Sequence, residues 1–292
     1  MRPNITASST ALFSTWVFIE NFGVLLDAGD GVSASLGQKS RKVRHVFVTH
    51  ADRDHICGLL QLNQLNARDG IPAIYFPKDC GSFPALKEFF SKFDPQSGVA
   101  TWTGLQAGES IKLKGELFVE ARTSLHVVSG DLCKALDYTI CSSRRTLKAD
   151  YRDLPGKEIA ALREANGEEA ITEMRTEKLI GYSGDAPELE PKHWEGVRIL
   201  IHEATFLETE TARNSHSNLP QVLRAASQLQ LEALILIHFS ARYSKEEIDA
   251  AILAQAASLS PSFPIYAVYP GEVKTDILAS VPLWEPSAPP TT

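Results

Sequence analysis

Apolar residues along this chain come in short strand-like bursts, separated by glycine-rich turns and helical stretches. Residues 15–20 (TWVFIE) are rich in β-branched and aromatic side chains, and 23–31 (GVLLDAGDG) ends in a glycine-rich turn. Residues 43–49 read as a buried strand, 56–66 as a helix, 71–76 as a strand and 84–93 as a helix. Short strands are expected at 111–113 and 117–121, with strand character again at Val127 and at 137–141. Residues 142–178 break the pattern. They are polar, helix-like at 157–165 and punctuated by Gly156 and Gly167, which predicts an arm or inserted hairpin. Strands follow at 179–183, 197–202 and 233–238, with helices at 219–229 and 245–257. Strands followed by helices, in two halves and with no fixed repeat, predict an α/β protein in which layers of sheet are enclosed by helices. Four prolines (Pro282, Pro286, Pro289, Pro290) predict a disordered tail at 282–292, leaving 1–281 as one domain with an arm at about 142–178.

A length of 292 residues with 43% hydrophobic content is enough for one large core. The net charge of −7 excludes a surface that attracts nucleic acid everywhere, so any such binding must come from a local basic patch. Arg144, Arg145, Lys148, Arg152 and Lys157 form one in the arm, interleaved with Asp150 and Asp153; an ordinary solvated loop is the competing reading. Four cysteines without CxxC spacing suggest free thiols in a reducing compartment, hence a soluble, cytoplasmic protein. The N-terminus lacks a basic-then-apolar profile, and no apolar run is long enough for a membrane helix.

The chemistry concentrates in Thr49-His50-Ala51-Asp52-Arg53-Asp54-His55, which places four metal-competent side chains within six residues between two apolar runs. Imidazole with carboxylate suits zinc, iron or manganese. Ligands at positions 1, 3, 5 and 6 of a strand-to-helix turn can wrap around two neighbouring ions. A binuclear site can make hydroxide at neutral pH and clamp a phosphodiester. The plainer alternative is a polar loop in which Asp52 or Asp54 caps the following helix. Later segments repeat one arrangement, an apolar strand ending in a metal-competent or acid/base residue: Leu125-His126, GYSGD ending at Asp185, the His202-Glu203 pair, and LILIH ending at His238. His216 lies in a polar loop. Strand ends present side chains at one edge of a rigid scaffold. Taken singly, each could be a structural histidine or a turn residue.

Together these strings resemble the metallo-β-lactamase superfamily and, within it, the ribonuclease Z family of tRNA 3′-processing endonucleases in its short, plant-like form. THADRDH, YSGDA, HEATF and especially LILIHFSARYSKEEIDAAI carry the resemblance, which covers roughly residues 10–270, and LKADYRDLPGKEIAALREANGEEAIT looks like that form's short arm. The resemblance implies an αββα sandwich of two mixed sheets flanked by helices. It implies two divalent ions, zinc first and manganese as the alternative. The first would be held by His50, Asp52 and His126, the second by Asp54, His55 and His238, and Asp185 would bridge them. Asp54 would serve catalysis as well as ligation. His216 would donate a proton, oriented by Glu203, while Asp27 would support the metal loop and His202 would be structural. Arg144, Arg145, Lys148 and Arg152 would clamp the tRNA from the partner subunit of a homodimer. Ser240 and Arg242, beside His238, are read from their position as phosphate contacts or simply as caps of the helix that starts near Lys245.

The sequence departs from the family where Asp52 replaces a histidine. That substitution adds negative charge beside Asp54 and Asp185 and favours harder ions such as manganese. Asn218 stands where a second histidine or threonine is common, and the usual glycine-rich opening strand is missing before Ala7. The expected function is metal-dependent removal of 3′ trailers from pre-tRNA. The alternatives are a phosphodiesterase for small or cyclic nucleotides and a degenerate, non-catalytic member.

Overall fold

The structure, a computed structural model, describes residues 2–93, 99–124, 126–127, 130–209 and 215–286. One sheet runs in chain order through β1 (Ile5–Thr10), β2 (Ser14–Ile19), β3 (Val24–Leu26), β4 (His45–Phe47), β5 (Ala73–Pro77) and β6 (Thr101–Leu105). Its first three strands are antiparallel and the rest parallel. The other sheet contains β7 (Ser110–Lys112), β8 (Leu117–Thr123), β9 (Leu136–Leu147), β10 (Thr172–Tyr182), β11 (Val197–Glu203), β12 (Ala233–Ile237) and β13 (Ile265–Ala267). Here β7 to β10 are antiparallel and β10 to β13 parallel. Both sheets are therefore mixed.

The period-two alternation of side chains builds the layers. Val17, Ile19, Val24, Leu26 and Phe47 of the first sheet pack against Tyr138, Ile180, Tyr182, Ile199, Ile201, Ile235 and Ile237 of the second. The opposite faces carry Trp16, Phe18, Leu25, Val46 and Val48 in one sheet and Leu200, Leu234 and Leu236 in the other. These meet helices: Leu59–Asn66 and Ser82–Phe93 outside the first sheet, Leu219–Ala226 and Lys245–Leu259 outside the second. The result is the αββα sandwich. Ile235 is fully buried, and truncating such a side chain to alanine costs about 2–5 kcal/mol. The strand that presents His238 is therefore a stiff support.

Several elements differ from expectation. The helix expected at 56–66 is two helices, Arg53–Ile56 and Leu59–Asn66. Gly58 at the break lies so close to the β3 turn that a Cβ there would stand 2.2 Å from the Gly29 carbonyl oxygen. Backbone contact, not helix propensity, sets this boundary. Strands β1, β6 and β13 lack the apolar signature used to find the others. β1 (ITASST) carries mostly small and hydroxyl side chains, β6 is half exposed, and β13 has three residues. The arm is largely β: β9 and β10 pair from Tyr138↔Tyr182 out to Leu147↔Thr172, with one register shift between Lys178 and Ile180, and the helix Gly156–Asn166 lies between their far ends. Their outer halves are polar because that ribbon is exposed. The stretch expected to be disordered from Pro282 begins with order. Leu283 donates to the Ile265 carbonyl at 2.8 Å and the Trp284 indole to that of Pro261 at 3.2 Å; residues 287–292 lie outside the described residues. Among the described residues, no helix is long and apolar enough to cross a membrane.

Candidate metal centre

All the strand ends singled out in the sequence converge on one edge of the sandwich. Asp27 follows β3, His50 follows β4, His126 follows β8, Asp185 follows β10, Glu203 closes β11 and His238 follows β12. Asp27 and His238 both have positive φ, 56° and 63°. Such outliers cost of order 1–3 kcal/mol and persist where the surroundings enforce them, commonly at functional sites.

Two clusters form around Asp185. Its Oδ2 faces His50 Nε2 at 3.6 Å and His126 Nε2 at 4.0 Å, and Asp52 Oδ2 faces the same two nitrogens at 3.6 and 3.9 Å. Its Oδ1 faces His55 Nε2 at 3.2 Å and His238 Nε2 at 3.3 Å, and Asp54 Oδ2 faces those at 3.6 and 3.3 Å. One carboxylate thus offers one oxygen to each cluster. The seven expected ligands lie in these two groups. Asp52 occupies the N-cap position of the helix Arg53–Ile56 but makes no capping bond there, so the plain capping reading gives way to a carboxylate turned toward His50 and His126.

The hydrogen bonds at the other ring nitrogens explain the orientation. His55 Nδ1 bonds Asp27 Oδ2 at 2.8 Å, and His126 Nδ1 bonds the Ser215 carbonyl at 3.1 Å. His50 Nδ1 and His238 Nδ1 each bond a threonine hydroxyl at 2.9 Å, Thr49 and Thr205 respectively. Thr49 Oγ1 already donates to Asp27 and Thr205 Oγ1 to Glu203, so each hydroxyl must accept from its histidine. All four imidazoles therefore carry a proton on Nδ1 and turn Nε2 toward carboxylate oxygens. Lone pairs would then face lone pairs unless protons or cations lie between them.

The electrostatics follow. Burial works against a charged His55, but Asp185 and Asp27 outweigh it and hold its pKa well above normal. Burial would also raise the Asp185 pKa, but His238, His55 and His50 pull it well below the usual carboxylate range. The His126 and His50 rings that face it lower the Asp52 pKa. Burial and the neighbouring His55 lower the His50 pKa. The buried atoms His50 Nε2, His55 Nε2 and Asp185 Oδ1 have no hydrogen-bond partner. Two ligands 2.0–2.2 Å from a tetrahedral ion stand about 3.3–3.6 Å apart, close to the spacings here. The donor set fits two divalent cations.

Two carboxylates support the clusters symmetrically. Asp27, fully buried, takes bonds from the Thr49 amide at 2.7 Å, from Thr49 Oγ1 and His55, and from the Tyr182 hydroxyl at 2.6 Å. Glu203, also fully buried, takes the Ala186 amide at 2.7 Å, Thr205 Oγ1, and His216 Nδ1 at 3.0 Å. Each carboxylate thus holds one histidine directly and a second through a threonine. Sequence reasoning assigned Asp27 and Glu203 but missed Thr49, Thr205 and Tyr182. A hydroxyl next to a strand-end histidine or glutamate, as in THAD and HEAT, is the available signal. Gly184, with φ 56°, lets the Asp185 turn press on Thr49; a Cβ there would lie 2.7 Å from its methyl.

His216 borders the clusters, with Nδ1 3.8 Å from Asp185 Oδ2, and groups with Asp185 and His238 as well. Glu203 occupies its Nδ1, which leaves Nε2 for other partners, and 18% of the side chain is exposed. Burial opposes its charging, but the Glu203 bond and charge raise its pKa overall. His202 is buried with Nδ1 on the Glu203 carbonyl at 2.8 Å, in line with a structural role. Asn218 caps the helix Leu219–Ala226 by accepting from the Gln221 amide at 3.1 Å. Four of the arm's basic residues are engaged with the arm itself. Arg144 pairs with Glu177 at 3.3 Å, Arg145 with Glu169 at 2.9 Å and Arg152 with Glu173 at 3.1 Å, while Lys148 donates to the Ala170 carbonyl. The Arg242 guanidinium lies over Phe206 and bonds Ser240 Oγ at 3.1 Å.

Residues 23–133 match a family model described as a beta-lactamase superfamily domain. The chloroplastic tRNase Z TRZ2 of Arabidopsis thaliana is 28% identical over 266 residues, covering 84% of this chain and 70% of that protein. A ribonuclease Z of Bacteroides fragilis is 29% identical over 272 residues, covering 82% and 85%. The solved metallo-beta-lactamase fold protein YhfI of Bacillus subtilis superposes with a TM-score of 0.62 at 15% identity, covering 94% of this chain and all of that one. The sandwich described above is a metallo-β-lactamase fold.

Proposed function

We propose that this chain, which carries a beta-lactamase superfamily domain and is similar to ribonucleases Z over most of its length, is a metal-dependent endoribonuclease that removes 3′ trailers from pre-tRNA. The observation that carries this reading is the double cluster around Asp185 with His216 beside it, in a chain so similar to proteins of that name. Asp52 completes the first cluster in place of a histidine, which argues against a degenerate member.

His50, Asp52 and His126 would hold one ion, Asp54, His55 and His238 the other, and Asp185 both. Zinc fits the imidazoles, and manganese competes because four of the seven side-chain ligand positions, counting the shared Asp185 once, are imidazole and three are carboxylate. Bound divalent ions supply Lewis acidity toward the phosphodiester and acidify water. The chain's own part is proton delivery and orientation. Glu203 fixes His216 through Nδ1, so that a proton on Nε2 can pass to the departing 3′-oxygen. The Glu203 bond and charge favour the protonated imidazole. The products would be a 3′-hydroxyl and a 5′-phosphate.

The reading includes a homodimer whose arm, with Arg144, Arg145, Lys148 and Arg152, clamps the tRNA of the partner's site. The salt bridges within the arm would have to open or rearrange for that, which predicts salt-sensitive binding. Ser240 and Arg242 at the foot of the His238 loop suit a phosphate contact. Four unpaired cysteines suit a reducing compartment such as the cytoplasm.

The test is to incubate the metal-loaded protein with a 3′-extended pre-tRNA and, separately, with a cyclic nucleotide, and to map any cut. Cleavage after the discriminator base supports the reading. Turnover of the cyclic nucleotide alone replaces it with the small-substrate alternative.

A further inference from the structure

Two large apolar side chains stand in solvent beside the buried ligands. Leu12 is 84% and Phe13 66% exposed, at the tip of the β1–β2 hairpin. They do not contribute to the core, yet their backbone is closely held. Phe13 N–H closes the turn on the Thr10 carbonyl at 3.0 Å, and Ala11 N–H reaches the Phe239 carbonyl, next to His238, at 3.2 Å. Leu12 N–H donates to Asp54 Oδ2 at 3.1 Å. Leu12 also has φ 70°, a left-handed conformation that glycine adopts freely and leucine does not. The chain therefore accepts local strain to place two exposed hydrophobes against the second cluster. Exposed Arg53 sits next to Asp54, and Arg242 lies in the loop that follows Phe239.

An exposed aromatic on a hairpin whose backbone is tied to Asp54 and to the residue after His238 matches the chemistry of an unpaired nucleotide held at a phosphodiester-cleaving centre: a flat apolar face joined to a phosphate. We propose that Phe13, backed by Leu12, is the platform on which one unpaired nucleobase flanking the scissile phosphodiester stacks. This rests on the RNA-cleaving reading above. Base–aromatic stacking tolerates any sequence, as a trailer-removing nuclease requires, and positions the phosphate over the ligands. Exposed Arg53, next in sequence to Asp54, and exposed Arg242, three residues after Phe239, are the cations offered to the flanking phosphate.

The test uses full-length, metal-loaded protein and a 3′-extended pre-tRNA, either intact or with one abasic nucleotide at each of the two positions on either side of the cut. Phe13→Ala should lower kcat/KM on intact RNA by about 5- to 150-fold, mainly through KM, and Phe13→Trp should restore it. At one position the abasic substitution should cost the wild type a similar factor and cost Phe13→Ala nothing further, because the lost partner is the same. Equal cleavage by Phe13→Ala and wild type overturns the platform and leaves the exposed pair to a protein contact. A loss in Phe13→Ala that adds fully to the abasic loss at every position also overturns it. Wild-type protein that cuts no pre-tRNA overturns the functional reading itself, and the platform with it.

Discussion

Replacing Thr205 with valine removes one hydroxyl and keeps nearly the same shape. That hydroxyl makes two bonds, one donated to Glu203 Oε2 and one accepted from His238 Nδ1 at 2.9 Å. Glu203 is fully buried, and without the hydroxyl Oε2 keeps only the Thr205 amide at 3.3 Å. A hydrogen bond to a charged group contributes about 1.5–3 kcal/mol, and a stranded buried donor costs about 1–3 kcal/mol. The expected destabilisation is therefore about 2.5–6 kcal/mol, read by urea denaturation of the metal-free protein. The second consequence is specific to the site. His238 loses the partner that fixes its Nδ1 proton, and loss of such a support weakens metal binding by about 10- to 100-fold. Calorimetric titration should show one site weakened and the other unchanged, and Thr205→Ser should recover both properties. Thr49→Val should do the same to the cluster that contains His50, through Asp27. Thr205→Val with wild-type stability and wild-type affinity at both sites would refute the relay.

Other predictions follow from separate parts of the structure. His216→Ala should cut pre-tRNA turnover by about 100-fold or more while mass spectrometry finds the same metal content; parallel metal loss would make His216 a ligand instead. Gly184→Ala should destabilise the fold and weaken metal binding, because the new methyl meets Thr49 at 2.7 Å in a backbone conformation that alanine resists. Asp52→His should shift the metal preference toward zinc over manganese, measured by competition titration. Asp137 is buried against His193 at 2.8 Å; burial pushes its carboxyl up to about 6 despite that partner. The native state thus binds more protons than the unfolded chain between about pH 4 and 6, so this group's contribution falls as pH rises through that window. Relative to Asp137→Asn, the wild type should lose at most about 3 kcal/mol of stability from pH 4 to pH 7; a difference that is flat in pH would refute the burial argument.

What the sequence revealed tracks how local each cause is. Strands buried on both faces, such as ALILI before His238, are continuous apolar runs and can be read directly. Candidate ligands such as His50 and His238 could be found because they sit at the end of such runs, whereas His126 follows the amphipathic strand β8. β1 was invisible because after Ile5 its inward face carries only Ala7 and Ser9, and Ser9 Oγ accepts from the His238 amide at 2.9 Å. The break at Gly58 depends on backbone contact with residues thirty positions away. The threonine relays were missed for the same reason: a hydroxyl's partners are decided by the fold. Asp52 shows the converse. Sequence alone left it between helix cap and ligand, and only the distances to His50 and His126 favour the ligand.

The central claim is that Asp185 joins two metal sites in one chain, and elemental analysis with native mass spectrometry of wild type and Asp185→Ala tests it most directly. The account predicts two divalent ions per wild-type chain and loss of affinity at both sites in the variant. One ion per chain, or two that survive removal of the Asp185 carboxylate with unchanged affinity, would contradict it.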